Sequence, residues 1–188
     1  MTIDNIIIRL EDGNQRFVND KLDGKLQDST RRNLLIAGQE PFAIILSCAD
    51  SRVVPELVFD TGLGELFVIR VAGNVANTSS IASIEYAVAH LNSQVIIVLG
   101  HESCGAVTAA MGRGDNGPNL NHLLDYISPA LNSCGDDATL KEVVRCNAEL
   151  TSDALYNNSS IIKSAVDAGN LKIIPAYYNL DSGLVEYV

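Results

Sequence analysis

Long apolar segments are absent from this chain of 188 residues, and no run approaches the roughly 20 residues that a transmembrane helix needs. The first residues, Met-Thr-Ile-Asp-Asn, have neither the basic start nor the long apolar stretch of a secretion signal. We therefore expect a protein without a membrane partner and with the cytoplasm as its compartment. This expectation concerns the sequence as given and leaves open a targeting segment that was removed upstream of it.

Basic residues are scarce, because 13 Lys and Arg stand against 23 Asp and Glu and leave a formal net charge of -10. Binding to phosphate backbones depends on clustered Lys and Arg, so we expect no nucleic-acid partner. The acidic balance says little about a substrate, since acidic surfaces also serve solubility.

Cysteine is scarce too, with four residues at uneven spacing. That number is too small to indicate a disulfide framework, and in a reducing compartment such residues are more often ligands or core residues. We expect Cys134 and Cys146 to have no part in the chemistry. Cys48 and Cys104 differ from them, because each belongs to a short motif of metal-binding or charged side chains.

Apolar runs of strand length alternate with helical patterns along the chain. The runs at 42–47, 66–71 and 95–99 are continuous, which is typical of parallel strands buried on both faces. Apolar residues at helical spacing between the last two runs predict a crossover helix that ends near residue 91. Later elements are predicted as a helix at 105–111, a loop at 112–118, a helical region at about 119–168, and strands at 171–177 and 184–188.

This alternation predicts an α/β fold: an open, mostly parallel β-sheet flanked by helices, with about four parallel strands plus a C-terminal edge strand. No repeat, low-complexity tract or composition shift marks a second domain, so we expect residues 1–188 to form one domain. Residues 1–38 are predicted to be an N-terminal helical arm and residues 39–188 an α/β core, which also carries the metal-binding side chains described next. Residues 3 to about 20 of the arm have an apolar side, which we expect to lie on a partner subunit.

Metal-binding side chains follow two of the predicted strands. Cys48 comes directly after the run at 42–47, and His101 and Cys104 follow the run at 95–99. Ligands of open α/β sheets bind beyond the carboxyl ends of the strands, where the strand order reverses, so we expect the three side chains to converge. Two thiolates and one imidazole form a zinc site with its fourth position open, which is typical of a catalytic zinc.

Asp50 and Arg52 accompany the first cysteine, and their residue types leave three arrangements open. Asp50 takes the fourth zinc position, or Arg52 holds it off the metal in a bidentate pair, or the two form a surface ion pair of little value. In the second arrangement Asp50 accepts a hydrogen bond from a zinc-bound hydroxide and orients it towards an electrophile. Zinc lowers the pKa of bound water to about 7, which suits attack on a small electrophilic carbon.

The motifs together resemble those of the β-class carbonic anhydrases. Besides Cys-x-Asp-x-Arg at 48–52 and His-x-x-Cys-Gly at 101–105, the similar segments are Gly-Asn-Gln-Arg-Phe at 13–17, Gly-Glu-Leu-Phe-Val-Ile-Arg at 64–70, Ile-Glu-Tyr-Ala-Val at 84–88 and Tyr-Tyr-Asn-Leu-Asp-Ser-Gly at 177–183. The resemblance implies a carbonic anhydrase, a lyase that interconverts carbon dioxide and bicarbonate with one Zn2+ per subunit. It implies Cys48, His101 and Cys104 as zinc ligands, with Asp50 and Arg52 as the catalytic pair that orients the hydroxide.

The resemblance also implies four substrate-binding residues. Gln39 matches the glutamine that hydrogen-bonds substrate across the cleft in this family, and Gly105 belongs to the motif of the second cysteine. Phe67 and Tyr86 match aromatic residues that line the carbon dioxide pocket, although on their own chemistry they would be core residues. Family members form dimers with active sites at the subunit interface, often assembled further, so a homodimer or a homotetramer is implied.

One position departs from some bacterial family members, which use a tryptophan in an inhibitory bicarbonate site. Here that position is Ile45, and the chain has no tryptophan. Arg70 matches an arginine of the same site, but members that lack the site share it. We therefore expect no bicarbonate allostery, with Asp50 off the zinc at neutral pH. His90 and His122 are predicted to be structural or solvated rather than proton shuttles.

Two other functions stay open on the residues alone. One is the hydrolysis of carbonyl sulfide or carbon disulfide on the same scaffold, since the attacking hydroxide would be the same. The other is a non-catalytic zinc-binding module, in which Asp50 or another side chain closes the fourth position. Hydrolysis of a larger ester or amide is less favoured, because no acid for the leaving group stands near the motifs.

Overall fold

A computed structural model describes residues 1–188 and shows one five-stranded sheet with helices on both faces. The strands are β1 Ala43–Ser47, β2 Leu66–Arg70, β3 Val95–His101, β4 Lys172–Tyr178 and β5 Val185–Tyr187. The helices are α1 Ile3–Val18, α2 Ser29–Leu34, α3 Pro55–Val58, α4 Thr78–Leu91, α5 Gly105–Met111, α6 Pro118–Leu124, α7 Ser128–Cys134, α8 Leu140–Asn158 and α9 Ser160–Asp167. A 3-10 turn at Ala72–Asn74 follows β2. No helix has the length and apolar character that crossing a membrane requires.

The strand order is β2-β1-β3-β4-β5, in which β1 to β4 are mutually parallel and β5 is antiparallel to β4. The prediction of four parallel strands and a C-terminal edge strand is confirmed. The chain leaves β1 towards β2 on one side and returns to β3 on the other side, so the strand order reverses between β1 and β3. A crevice at the carboxyl ends of these two strands is therefore the expected ligand site of such a sheet.

Both central strands are buried over their whole length, as their continuous apolar runs predict. Because successive side chains of a strand point to opposite faces, β1 contributes Ile45 to one core and Ile44 to the other. Leu10 of α1 packs into the first core. Ile84 of α4 and Leu155 of α8 pack into the second core. A third apolar cluster lies under the carboxyl ends of the strands and includes the sulfurs of the functional motifs.

Helix α1 packs on the sheet of its own chain, so the expectation that its apolar side lies on a partner is wrong. Leu10 is fully buried, and a Cβ at Gly13 would overlap the Phe59 carbonyl oxygen. The Asn14 side chain is also buried and accepts a hydrogen bond from the Val185 amide at 2.9 Å. Helical periodicity reveals an apolar side but not which surface covers it.

The segment after α1 is different, because its apolar side chains stay uncovered in one chain. Leu34 at the end of α2 is 70% exposed, and Ile36 is 83% exposed. Exposed apolar groups of this size in one segment are typical of an interaction surface.

Candidate metal centre

Cys48, His101 and Cys104 converge at the point where the strand order reverses. Cys48 directly follows β1, His101 is the last residue of β3, and Cys104 precedes the first turn of α5. One ligand atom from each of the three lies within 4.8 Å of the others, and all three residues are buried. The parallel register of β1 and β3 produces this meeting, since it aligns Ser47 with Leu99 and so brings both strand ends to one edge.

The imidazole of His101 has one nitrogen free to bind a metal. Its Nδ1 lies 2.8 Å from the carbonyl oxygen of Glu102, which only accepts hydrogen bonds, so Nδ1 carries the ring proton. Nε2 is buried and has no hydrogen-bond partner. An unpaired lone pair in a buried site is costly unless something binds it, and a metal ion is such a partner.

The sulfurs of Cys48 and Cys104 shift each other's pKa in opposite directions. The hydrogen bond with Cys104 lowers the pKa of the Cys48 thiol, and the same bond, assisted by burial, raises the pKa of Cys104. Two buried thiolates side by side need a positive charge between them. Two thiolates and one imidazole, whose buried Nε2 has no other partner, fit zinc, which prefers this mixture of sulfur and nitrogen ligands.

Asp50 lies beside the cluster and is held by Arg52. The Arg52 Nε and Nη2 donate to the two carboxylate oxygens at 2.9 and 2.6 Å, and the Arg52 backbone amide donates to Oδ1 at 3.0 Å. These hydrogen bonds hold the pKa of the Asp50 carboxyl well below its usual range. Asp50 Oδ2 lies 3.9 Å from His101 Nε2, so an ionised oxygen faces the cluster of Cys48, His101 and Cys104.

Further bonds brace the loop that carries these groups. The guanidinium of Arg70 donates to the Cys48 carbonyl at 3.1 Å and to the Asp50 carbonyl at 2.6 Å. Arg52 also reaches the Ser103 carbonyl at 3.2 Å and thereby links the two motifs. Arg70 thus acts in this chain on the backbone of the first motif.

Three of the four predicted substrate-binding residues lie far from the cluster within one chain. Gln39 is exposed and precedes β1, whereas Cys48 follows that strand. Phe67 of β2 is in register with Ile44, which lies about 13 Å along the strand from Cys48 at 3.3 Å per residue. Tyr86 is 50% exposed, and its ring centroid is 6.3 Å from that of Phe67.

Gly105, the fourth, is adjacent to Cys104 and begins helix α5. It is exposed, and a Cβ at this position would meet no atom within 4 Å. The fold of one chain therefore does not require a glycine there.

The remaining residues named from the sequence lie outside the cluster. Ile45 is fully buried in the first core. His90 and His122 are exposed, and their rings lie beside the tyrosines Tyr86 and Tyr126. Cys134 and Cys146 are half-buried in the packing of α7 against α8, and burial raises the pKa of Cys134 to about 11.

Comparison with known proteins decides the family. A family model described as carbonic anhydrase matches residues 43–185. The chain belongs to the β-carbonic anhydrase family. Carbonic anhydrase 2 of Mycobacterium tuberculosis is 38% identical over 180 residues, which cover 93% of this chain and 87% of the relative. The carbonic anhydrase of Mycolicibacterium smegmatis is 38% identical over 184 residues, or 94% of this chain and 89% of the relative.

Solved β-carbonic anhydrases share the fold. The enzyme from Coccomyxa, in complex with acetazolamide, superposes with a TM-score of 0.78 at 26% identity over 93% of this chain and 82% of its own. A tetrameric β-carbonic anhydrase from Sordaria macrospora gives a TM-score of 0.80 over 98% of this chain and 97% of its own. At 23% identity the second likeness supports the fold alone.

The sequence analysis missed two residues that support Cys48 in this β-carbonic anhydrase. The Gly73 amide donates to Cys48 Sγ at 3.4 Å, and the Asn147 side chain donates to the Gly73 carbonyl at 2.9 Å. Weak signals existed: a Gly-Asn pair soon after a strand indicates a turn, and an asparagine on an apolar helix face needs a partner. Neither signal shows which sulfur the turn contacts.

Proposed function

We propose that this protein catalyses the reversible hydration of carbon dioxide to bicarbonate and a proton, with one zinc ion held by Cys48, His101 and Cys104. The observation that carries the proposal is the buried cluster of two sulfurs and an unpartnered imidazole nitrogen, with an ionised Asp50 facing it. Membership of the β-carbonic anhydrase family supports the same reaction.

A zinc ion in this cluster supplies the Lewis acidity that makes water a nucleophile near neutral pH. Asp50 contributes the orientation of that water. Its ionised Oδ2 accepts a hydrogen bond and thereby directs a lone pair of the water oxygen towards the substrate carbon. Arg52 keeps the carboxylate ionised and fixed, because two of its N–H groups and its backbone amide occupy the carboxylate.

The reaction needs little more from the protein. The water oxygen forms a bond to carbon, one C=O double bond becomes a carboxylate C–O bond, and the released proton passes to solvent or buffer. No leaving group departs, so no general acid is required, which agrees with an Asp50 carboxyl group that is held ionised. The relatives reported above are named carbonic anhydrases, and none of them is named a hydrolase of carbonyl sulfide or carbon disulfide.

Zinc removal is the first test of this proposal. We expect rapid carbon dioxide hydration in stopped-flow measurements of the zinc-loaded protein, loss of that rate after exhaustive chelation, and recovery on adding zinc. Hydrogen sulfide release from carbonyl sulfide, measured on the same protein, should be much slower. Hydration that survives complete zinc removal, or a preference for carbonyl sulfide, would refute the assignment.

We propose further that the active unit is a homodimer in which each site receives Gln39, Phe67 and Tyr86 from the partner. The separation of these residues from Cys48 within one chain supports this arrangement. So does β2, an edge strand that is only half-buried in one chain. The exposed Leu34 and Ile36 give the same surface additional apolar area to cover.

Mixing two impaired variants tests the shared site. Asp50→Asn disables a chain's own half of the site, and Gln39→Ala disables the half that it gives to its partner. After random subunit exchange, half of the dimers are mixed and each has one site with both groups intact, so about a quarter of all sites recover. We expect the hydration rate of the mixture to rise well above the mean of the two parents.

The matched control mixes Asp50→Asn with Cys48→Ser, two residues of the same half-site. No mixed dimer then holds an intact site, so no recovery is expected. Activity of the Asp50→Asn and Gln39→Ala mixture at the mean of its parents, despite verified exchange, would place Gln39 outside the partner's site.

A further inference from the structure

The sulfur of Cys48 receives a hydrogen bond from a turn with a glycine at its centre. The Gly73 amide donates to Sγ at 3.4 Å in a buried environment. Gly73 has φ 69° and ψ 16°, in the left-handed region. A Cβ there would lie 2.8 Å from Ile127 Cδ1 and 3.3 Å from Ala106 Cβ. A side chain at this position would be strained by the positive φ and would have to displace the end of the Ile127 side chain, so the turn favours glycine.

Glycine alone does not keep this conformation. It populates positive and negative φ about equally, so the direction of its N–H group must be fixed by other contacts. The amide and the carbonyl of Gly73 lie on opposite sides of its Cα, and bonds to both together fix φ and ψ. The carbonyl bond therefore helps to hold the turn that aims the N–H group, together with the hydrogen bond that the Asn74 amide donates to the Val71 carbonyl at 2.9 Å.

Asn147 of helix α8 provides that carbonyl bond from 74 residues away. Its Nδ2 donates to the Gly73 oxygen at 2.9 Å, and the residue is only 2% exposed. Its helix neighbours Val144 and Ala148 are buried apolar residues. A polar amide on such a face is costly unless its hydrogen bonds are made. By contrast, Ser152 on the same helix bonds only within the helix, to the Ala148 carbonyl.

We propose that Asn147 is a positioning residue of the metal centre, which holds the Gly73 N–H group on the Cys48 sulfur. The inference rests on the proposed function, because it takes Cys48 as a metal ligand. A hydrogen bond to a thiolate withdraws charge from the sulfur, and such outer contacts tune a metal site and orient its ligands. Loss of the Asn147 amide frees the glycine turn and leaves Cys48 more electron-rich and less well fixed.

The test uses two variants that both remove the amide donor but differ in volume, Asn147→Leu and Asn147→Ala. In the cobalt(II)-substituted protein, an electron-richer thiolate is oxidised more easily, so its charge-transfer absorption should move to longer wavelength in both variants. Zinc release to a chelator should become about 10–100-fold faster, the range typical of lost outer contacts. Ser152→Ala, a buried polar change in the same helix, should alter neither quantity.

The possible results separate this inference from the proposed function. A wild-type cobalt protein without thiolate charge-transfer absorption would refute the metal site, and the inference with it. A normal wild-type band that stays unshifted in the folded Asn147 variants would refute the inference alone. A shift in only one variant would assign the effect to packing volume and would also overturn it. Thermal unfolding of each variant identifies those that are folded.

Discussion

Replacing Cys48 with serine is expected to remove the metal and with it the hydration of carbon dioxide. A serine hydroxyl stays protonated near neutral pH and is a poor zinc ligand, so the cluster would keep only one thiolate and one imidazole. Zinc should fall from about one ion per chain to a small fraction of that value, and the hydration rate should fall by about 10³-fold or more. Elemental analysis and stopped-flow kinetics on the same preparation measure both quantities.

Cys134→Ser is the matched control, since it makes the same chemical change at a half-buried cysteine outside the cluster. It should keep its zinc and its hydration rate. Stoichiometric zinc together with a near-wild-type rate in Cys48→Ser would show that Cys48 is not a ligand. Equal zinc loss in both serine variants would indicate general destabilisation instead.

Asp50→Asn is expected to separate catalysis from metal binding. The amide has the size of the carboxylate but no negative charge, so it loses the bidentate pair with Arg52 and presents an N–H group where an acceptor is needed. Zinc content should stay near one ion per chain, while kcat falls by about 10²–10⁴-fold, the range typical of a lost proton-accepting or orienting group. Zinc analysis with stopped-flow measurement of kcat provides the comparison.

Asp136→Asn is the matched control, because it removes the same charge from an exposed ion pair. The side chain of Asp136 is 83% exposed, and that of its partner Arg113 is 66% exposed. Exposed ion pairs contribute little, so kcat should not change there. An unchanged kcat in Asp50→Asn would contradict the catalytic role of Asp50 and would show that its pair with Arg52 is only an ion pair of little value. Loss of zinc from Asp50→Asn would instead make the carboxylate a metal ligand.

Much of the fold follows from apolar patterns that have one physical cause. The strands at 42–47 and 95–99 were predictable because central parallel strands are buried on both faces. Strand β3 continues two residues beyond its predicted end, through Gly100 to His101, because pairing with Tyr177 and Tyr178 extends the ladder past the apolar run. Pairing of this kind depends on a distant segment and leaves no local signal.

The short helix α3 was not predicted, and α2 was covered only by the general prediction of a helical arm over residues 1–38. Each has at most six residues, too few to show a helical period. The packing of α1 on its own sheet was also missed, because it depends on contacts such as that of Asn14 with Val185, 171 residues away. Sequence patterns indicate that a surface must be covered, and tertiary contacts decide what covers it.

The candidate site likewise has a part that the sequence predicts and a part that depends on tertiary contacts. The convergence of Cys48, His101 and Cys104 follows from their places at strand ends, since parallel strands bring their carboxyl ends to one edge. The substrate-binding assignments of Gln39 and Phe67 came from resemblance alone and stay predictions. The residues that support the cluster from outside, such as Asn147, could not be predicted. Spacing along a chain does not determine a contact between a helix and a distant turn.

X-ray absorption at the zinc edge of the purified protein tests the metal centre most directly. We expect one zinc ion per chain, with two sulfur neighbours at about 2.3 Å and a histidine nitrogen at about 2.0–2.1 Å. A shell of four sulfurs, a shell without sulfur, or a fully active protein that contains no zinc would contradict the proposed centre of Cys48, His101 and Cys104.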